Sequence, residues 1–284
     1  MILDGKKLAQ KIKEGLKAEV VALKTKYGVV PKIVNIMVGE NPDSSAYMNS
    51  QRKAAGFVGI DYELMSLPLD VTQEHLCSLI LALNEDDRVT GVMITKPVPA
   101  HIHFSDAANL IELNKDIEGI NAANIGNLLL GNPTLIPCTA AAVMEHLKST
   151  GVDLSGKEVV IIGDSQIVGK PLSLLLLREL ATVTVCHIGT SRAGKLAEHV
   201  EQADVLIVAV GKAALVKGSW IKPGAIVIDV GINEVNGKIV GDVDFEDAQK
   251  RAAFITPVPG GVGPVTSVML MRNSIEAFKL IIGV

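Results

Sequence analysis

A strand-like run at 159–162 opens into Gly163-Asp164-Ser165-Gln166-Ile167-Val168-Gly169-Lys170-Pro171. A glycine turn that leaves a strand and starts a helix aims unpaired N–H groups, and the positive end of the helix dipole, at whatever lies over the sheet edge. That arrangement holds a pyrophosphate. The spacing is not G-x-G-x-x-G, because Ser165 stands at the second glycine position. An acidic residue about 20 positions on, which would take a ribose hydroxyl, is also missing. The next strand instead ends Cys186-His187-Ile188-Gly189-Thr190, where His187 either faces an adenosine or caps the strand. On spacing alone the turn is a dinucleotide site or a tight connection. A second glycine-rich segment, Pro257-Val258-Pro259-Gly260-Gly261-Val262-Gly263-Pro264, makes a rigid loop. Its backbone either approaches a flat ligand closely or merely turns the chain into a closing helix.

Alternating strands and helices must position these segments. Apolar residues Leu8, Ile12, Leu16, Val20 and Leu23 recur at helical spacing, which predicts a helix over 4–27. A strand follows at 32–38, a loop at 39–43, and a helix capped by Ser44 or Ser45 to about 58. A strand at 61–67, a helix capped by Thr72 and a strand at 91–95 complete β-α-β-α-β, which predicts a parallel sheet. The stretch 114–137, rich in Asn and Gly, reads as irregular. Beyond it a helix over 139–150 precedes strands at 158–162, 182–186, 204–210, 225–230 and 254–257. Helices are expected over 168–180 and 193–202, a loop at 260–264 and a last helix over 266–282. The fold class is α/β in two units, the second of dinucleotide-binding type.

Composition agrees and removes several functions. Of 284 residues 48% are apolar, drawn mostly from Val, Ile, Leu and Ala, as buried parallel strands require. Lys and Arg number 27 against 31 Asp and Glu, a net charge of −4, and the aromatics are five Phe, three Tyr and one Trp. With neither a basic excess nor aromatics for base stacking, nucleic acid is not an expected partner. Every apolar run is too short to span a bilayer, and Met1-Ile2-Leu3-Asp4 shows no signal peptide, so a cytoplasmic protein without membrane association is expected. Cys77, Cys138 and Cys186 fit neither a redox pair nor a metal spacing, and no metal site is expected.

Read together, the segments resemble the bifunctional methylenetetrahydrofolate dehydrogenase/cyclohydrolase family over nearly the whole chain. The resemblance rests on Val38-Gly39-Glu40-Asn41-Pro42 leading to Tyr47, on Gly163-x-Ser165-x-x-Val168-Gly169-Lys170-Pro171 and on Asp229-Val230-Gly231-Ile232-Asn233. Gly237-Lys238-Ile239-Val240-Gly241-Asp242-Val243 and the loop from Pro257 to Pro264 complete it. It implies a folate-binding catalytic domain (1–139 with the closing helix 266–284), a Rossmann-like NAD(P)-binding domain (140–265), a cleft between them, and a homodimer. The implied activity is oxidation of 5,10-methylenetetrahydrofolate to the methenyl form by hydride transfer, then addition of water to give 10-formyltetrahydrofolate. The resemblance places catalytic residues at Tyr47, Gln51, Thr95, Lys96 and Glu118, and substrate contacts at Tyr47, Glu118, Pro259, Gly260 and Gly261. Contacts to NADP, or to NAD, fall at Gly163, Asp164, Ser165, Val168, Gly169, His187, Thr190, Gly211, Ile232 and Thr266.

This sequence departs from the family pattern where the chemistry is done. The family's Tyr-x-x-x-Lys, whose i, i+4 spacing sets a pterin-stacking ring beside an ammonium, is here Tyr47-Met48-Asn49-Ser50-Gln51. A glutamine carries neither charge nor an exchangeable proton at neutral pH. Arg52 and Lys53 point about 100° and 200° away around the helix. The family's Gln-Leu-Pro is Thr95-Lys96-Pro97, so Lys96 either returns a cation to the site or lies on its rim. The acidic residue that clamps the pterin edge is Glu118, one methylene longer than the usual Asp. Asp164 stands where many relatives have Arg or a small residue, Ile188 stands where Ser or Arg often meets a 2′-phosphate, Arg192 and Lys195 are nearby compensating cations, and Ala140 replaces a proline. Hydride transfer depends on positioning, whereas hydrolysis needs proton transfers worth ~10²–10⁴-fold. The sequence therefore predicts a folate-dependent dehydrogenase with weak or absent cyclohydrolase activity. Its alternatives are a fully bifunctional enzyme, with Lys96 or water standing in, and a degenerate folate- or nucleotide-binding paralogue or regulatory subunit with little turnover.

Overall fold

The structure is a computed structural model that describes residues 1–39 and 42–284, with the backbone alone at 42–46. The chain divides into two compact units, 10–138 with 267–284 and 1–9 with 139–266.

The first unit is built on a three-stranded parallel sheet. Its strands are β1 (Lys32–Val38), β2 (Asp61–Leu67) and β3 (Gly91–Ile94), in the order β2-β1-β3. The central strand is buried from Ile33 to Val38 and aliphatic except at Asn35, as a strand covered on both faces must be. The helices that cover it include α2 (Pro42–Val58) and α3 (Gln73–Glu85). Thr72 caps α3 as expected, its hydroxyl accepting from the His75 N–H at 3.2 Å. Two long helices contribute to both units: α1 (Gly5–Tyr27) at the start of the chain and α11 (Val262–Ile282) at its end.

The second unit is a doubly wound parallel sheet. Its strands β4 (Glu158–Ile162), β5 (Thr182–Cys186), β6 (Val205–Val208), β7 (Ile226–Asp229) and β10 (Phe254–Ile255) lie in the order β10-β7-β6-β4-β5. The winding reverses between β4 and β6, so a crevice opens beyond their carboxyl ends, where open α/β sheets bind ligands. α7 (Gly169–Arg178) follows β4, and α6 (Cys138–Ser149) precedes it.

Several boundaries differ from the sequence expectation. α2 begins at Pro42, ahead of both serines expected to cap it. Proline suits a first helical turn because its missing N–H has no intrahelical partner there. Glu40 and Asn41 of the expected loop lie outside the described residues, while Pro42 and Asp43 are helical. The stretch read as irregular holds a 3-10 turn at Leu113–Lys115 and α5 (Ala122–Leu129), preceded by α4 (Phe104–Leu110). Asn121 starts α5 by accepting from the Ala123 N–H at 2.8 Å. The helix expected over 193–202 is α9 (Leu196–Gln202), and a further helix, α8 (Ile188–Arg192), precedes it because His187 caps the chain there. A hairpin of β8 (Asn233–Val235) and β9 (Lys238–Val240) had no counterpart in that reading, nor did α10 (Phe245–Ala248). α11 begins at Val262, so three of the five residues of the loop expected at 260–264 belong to its first turn.

Candidate active site

In the first unit the middle of β1, the start of β2, the residue after β3 and the inner face of α2 bring a connected polar group together. Gln51 is fully buried on α2, one turn beyond Tyr47. Its Oε1 accepts from the Tyr62 hydroxyl at 3.0 Å and from Asn35 Nδ2 at 3.3 Å. Asn35 Nδ2 also donates to the Tyr62 oxygen at 2.7 Å, and the Thr95 hydroxyl donates to Asn35 Oδ1 at 2.8 Å. With its oxygen engaged twice, the carboxamide has one orientation. Nε2 is buried without a hydrogen-bond partner among the described residues. The amide lies close enough to the Tyr47 phenol to favour its ionised form, although desolvation dominates and holds that pKa well above the ordinary range. Thr95 therefore reaches Gln51 only through Asn35. Arg52 and Lys53 are exposed, as their angular positions predict.

The segment Lys115-Asp116-Ile117-Glu118-Gly119 splits its charges between structure and site. Buried Lys115 caps the carboxyl end of α3, its Nζ donating to the carbonyls of Leu83 at 3.1 Å, Asn84 at 2.5 Å and Asp86 at 3.0 Å. Asp116 accepts from the Asn121 N–H and Asn124 Nδ2, both at 2.8 Å, and braces the start of α5. Glu118 braces no helix. Desolvation, and then the Asp116 charge, push its pKa up to about 7, against the pull of Lys96 and a backbone bond at Ile94. A carboxyl group near neutrality can hold or release a proton at working pH. Lys96 is exposed, with its ammonium 3.7 Å from the Phe104 ring centroid, and still acts on Glu118. Cys138 is buried, and Asn273 of α11 donates to the Ile117 and Ile136 carbonyls at 2.8 Å each, which holds this corner together.

In the second unit a cavity of about 370 Å³ lies beyond β4, β5 and β6. Gly163, Asp164, Ser165 and His187 line it, together with Ile188, Ser191, Val210 and Lys212. The glycine turn is sterically required. Gly163 has φ +118°, and a Cβ there would meet the Ala209 carbonyl oxygen at 2.3 Å. A Cβ at Gly169 would sit 1.9 Å from the Gly163 carbonyl oxygen. These contacts fix the path of the turn, which brings the start of α7 next to a cavity lined by Gly163, Ser165, His187 and Lys212, a set of groups that fits a dinucleotide. Ser165 Oγ accepts from the Val168 N–H at 3.2 Å, so serine at the second glycine position closes the turn by its side chain. His187 Nδ1 accepts from the Gly189 N–H at 3.0 Å, while the His187 backbone N–H donates to the Thr190 hydroxyl. His187 thus caps α8 and also lines the cavity.

Other expected cofactor residues do not line that cavity. Val168 and Gly169 shape the turn, Thr190 serves the α8 cap, Ile232 is exposed elsewhere, and Thr266 bonds back to the Val262 carbonyl inside α11. Gly211 acts through its backbone. Its N–H and that of Val210 donate to Asp242 Oδ2 at 3.0 and 2.7 Å, and the Lys212 N–H donates to Oδ1 at 2.8 Å. Asp242 is in turn positioned by Asp229, whose carboxylate accepts from the Gly231, Asp242 and Val243 N–H groups. Burial pushes the Asp229 pKa up to about 6 despite those bonds. In the same unit Pro259, Gly260 and Gly261 form the loop before α11, and the Gly260 carbonyl accepts from the Gly5 N–H at 2.9 Å.

Two family models divide the chain between them. The tetrahydrofolate dehydrogenase/cyclohydrolase catalytic domain matches residues 3–118, and the NAD(P)-binding domain of the same family matches 137–281. The chain belongs to the tetrahydrofolate dehydrogenase/cyclohydrolase family. It is 49% identical over 280 residues to the bifunctional protein FolD of Acetivibrio thermocellus, covering 98% of this chain and 97% of that one. Among solved structures, the FolD enzyme of Campylobacter jejuni is 45% identical with a TM-score of 0.95, covering 99% of both chains. The Trypanosoma brucei FolD, solved with NADP and an inhibitor, is 41% identical with a TM-score of 0.95 over 100% of this chain and 99% of that one. Against this family background, two functional residues escape a reading by motif. Asn35 sits inside an aliphatic strand, where a lone buried amide was the available signal. Asp242 stands in a segment used only for its resemblance, and its role needs the backbone geometry to appear.

Proposed function

We propose that this chain is an NAD(P)-dependent 5,10-methylenetetrahydrofolate dehydrogenase whose methenyltetrahydrofolate cyclohydrolase activity is reduced. The observation that carries the reading is the buried, singly oriented Gln51 carboxamide beside Tyr47. It offers a hydrogen-bond donor where proton transfer would need an ionisable group. Tyr47 presents a ring that is 39% exposed, a platform for a flat pterin, and Gln51 Nε2 is left to donate to a ligand. Glu118 binds the amino-pyrimidine edge, and its raised pKa lets it share a proton there. Lys96 supplies the cation on the rim beside Glu118, and Thr95 holds Asn35 and hence Gln51 in place.

Gly163, Asp164, Ser165 and His187 hold the dinucleotide, with Asp242 fixing the Val210–Lys212 backbone beneath it. The bound nicotinamide supplies the hydride acceptor. Charge developing at the methylene carbon is stabilised by the folate nitrogens, so this step asks the protein chiefly for position. Hydrolysis asks for proton transfers that Gln51 does not make. The chain acts in the cytoplasm as a homodimer, an assembly that sedimentation of the purified protein tests directly. Three unpaired thiols, and the lack among the described residues of any helix long and apolar enough to cross a membrane, accord with that location. The activity is tested by incubating purified protein with methylenetetrahydrofolate and either NAD or NADP and following reduced nicotinamide. Formation of reduced nicotinamide with at least one of them is expected, and none with either overturns the dehydrogenase reading in favour of a non-catalytic paralogue.

A further inference from the structure

We propose that Asp164 makes the dinucleotide pocket selective for NAD, with its free adenosine 2′-hydroxyl, over NADP, with its 2′-phosphate. The inference rests on the dehydrogenase reading for the presence of a dinucleotide, and on the residues of the pocket for its kind. A dinucleotide laid across this sheet places its adenosine ribose over the carboxyl ends of β4 and the edge strand β5. The usual acceptor for a ribose hydroxyl is an acidic residue at the end of the second strand, and β5 ends without one at His187-Ile188. His187 Nδ1 accepts from the Gly189 N–H, so in the neutral ring Nε2 carries the proton and cannot accept, and Ile188 is apolar and 66% exposed.

Asp164 supplies the missing carboxylate from the neighbouring strand. It follows Gly163 at the end of β4, lines the same cavity, is exposed, and has no hydrogen bond or ion pair among the described residues. A ribose hydroxyl donating to it makes a charge-assisted bond. A 2′-phosphate in the same place meets like charge, which costs most where water is scarce. Among the described residues the cavity holds one cation to offset this, Lys212. Lys212 follows β6, on the far side of β4 from β5. At about 4.8 Å per strand spacing, that sets it about 10 Å from the ribose side. Arg192 and Lys195, the other nearby cations, are exposed and do not line the cavity. Selectivity here comes from a repulsive group as much as from an attractive one.

Isothermal titration of NAD and of NADP into the full-length protein tests this without folate. The unmodified protein is expected to bind NAD on the order of 10- to 100-fold more tightly than NADP. Asp164→Asn should shrink that ratio, and Asp164→Arg should reverse it while NAD still binds, which shows that the variant is folded. Equal or tighter binding of NADP by the unmodified protein overturns the proposal, as does an unchanged ratio in both variants. Turnover that favours NADP overturns the proposal and leaves the dehydrogenase reading standing. NAD-selective binding without folate-dependent turnover does the reverse.

Discussion

Two buried polar clusters, one in each unit, are built in opposite ways. In the second, the carboxylates of Asp229 and Asp242 are saturated by backbone N–H groups, so each side chain holds the backbone of a loop. In the first, side chains bond to one another through Asn35, Tyr62 and Gln51, and the network ends on a buried amide nitrogen with no partner among the described residues. A saturated group rigidifies, while an unsatisfied one beside an exposed aromatic ring offers a bond to a ligand. The dinucleotide unit is therefore organised around fixed backbone and the folate unit around replaceable side chains.

Substitutions probe that contrast most strongly at its two poles. Gln51→Lys restores an ionisable group at the end of the side-chain network, and should raise methenyltetrahydrofolate hydrolysis by on the order of 10²–10⁴-fold with a much smaller change in the dehydrogenase rate. Side-by-side assays of the two half-reactions check it. Asp242→Ala strands the N–H groups of Val210, Gly211 and Lys212 and the Asn233 amide. It should cost about 3–5 kcal/mol in urea unfolding and weaken dinucleotide binding. An effect under about 1 kcal/mol would mean that water replaces the carboxylate and the backbone is not held as described.

Glu118 gives a pH signature of definite sign. Its ordinary pKa of 4.5 is pushed up to about 7, so between those values the folded protein keeps a proton that the unfolded chain has lost. Stability contributed by this group is thus full below about 4.5 and falls as pH rises towards 7, by up to about 3 kcal/mol. Asp229, raised to about 6, acts in the same direction over a narrower window. Glu118→Gln should flatten the larger part of that slope in denaturant titrations from pH 4 to pH 8, and an unaltered slope refutes the assignment. Tyr62→Phe removes the bond to Gln51 and the one accepted from Asn35 and should cost about 1–3 kcal/mol, with a modest fall in kcat read in the dehydrogenase assay.

The strands were legible because their apolar runs have no other stable use than a doubly covered sheet, and all three strands of the first unit start where the pattern places them. Elements set by single side chains were harder to see. α5 depends on Asn121 accepting one N–H, and α8 on a histidine acting as a cap, so composition alone reads both regions as loop or extended. The β8–β9 hairpin was legible in principle. Asn236 and Gly237 adopt φ of 52° and 72°, the backbone that an Asn-Gly pair favours in a two-residue turn. In the site, Tyr47 and Gln51 could be paired by helical spacing. The link from Thr95 to Gln51 could not, because it passes through Asn35 on a strand distant in sequence.

A time course of the full reaction tests the central claim most directly. With methylenetetrahydrofolate and the preferred dinucleotide, reduced nicotinamide and methenyltetrahydrofolate should rise together. 10-Formyltetrahydrofolate should lag, formed little faster than methenyltetrahydrofolate hydrolyses in buffer alone. If 10-formyltetrahydrofolate instead forms in step with reduced nicotinamide and no methenyl form accumulates, Gln51 does not limit hydrolysis and the account is contradicted.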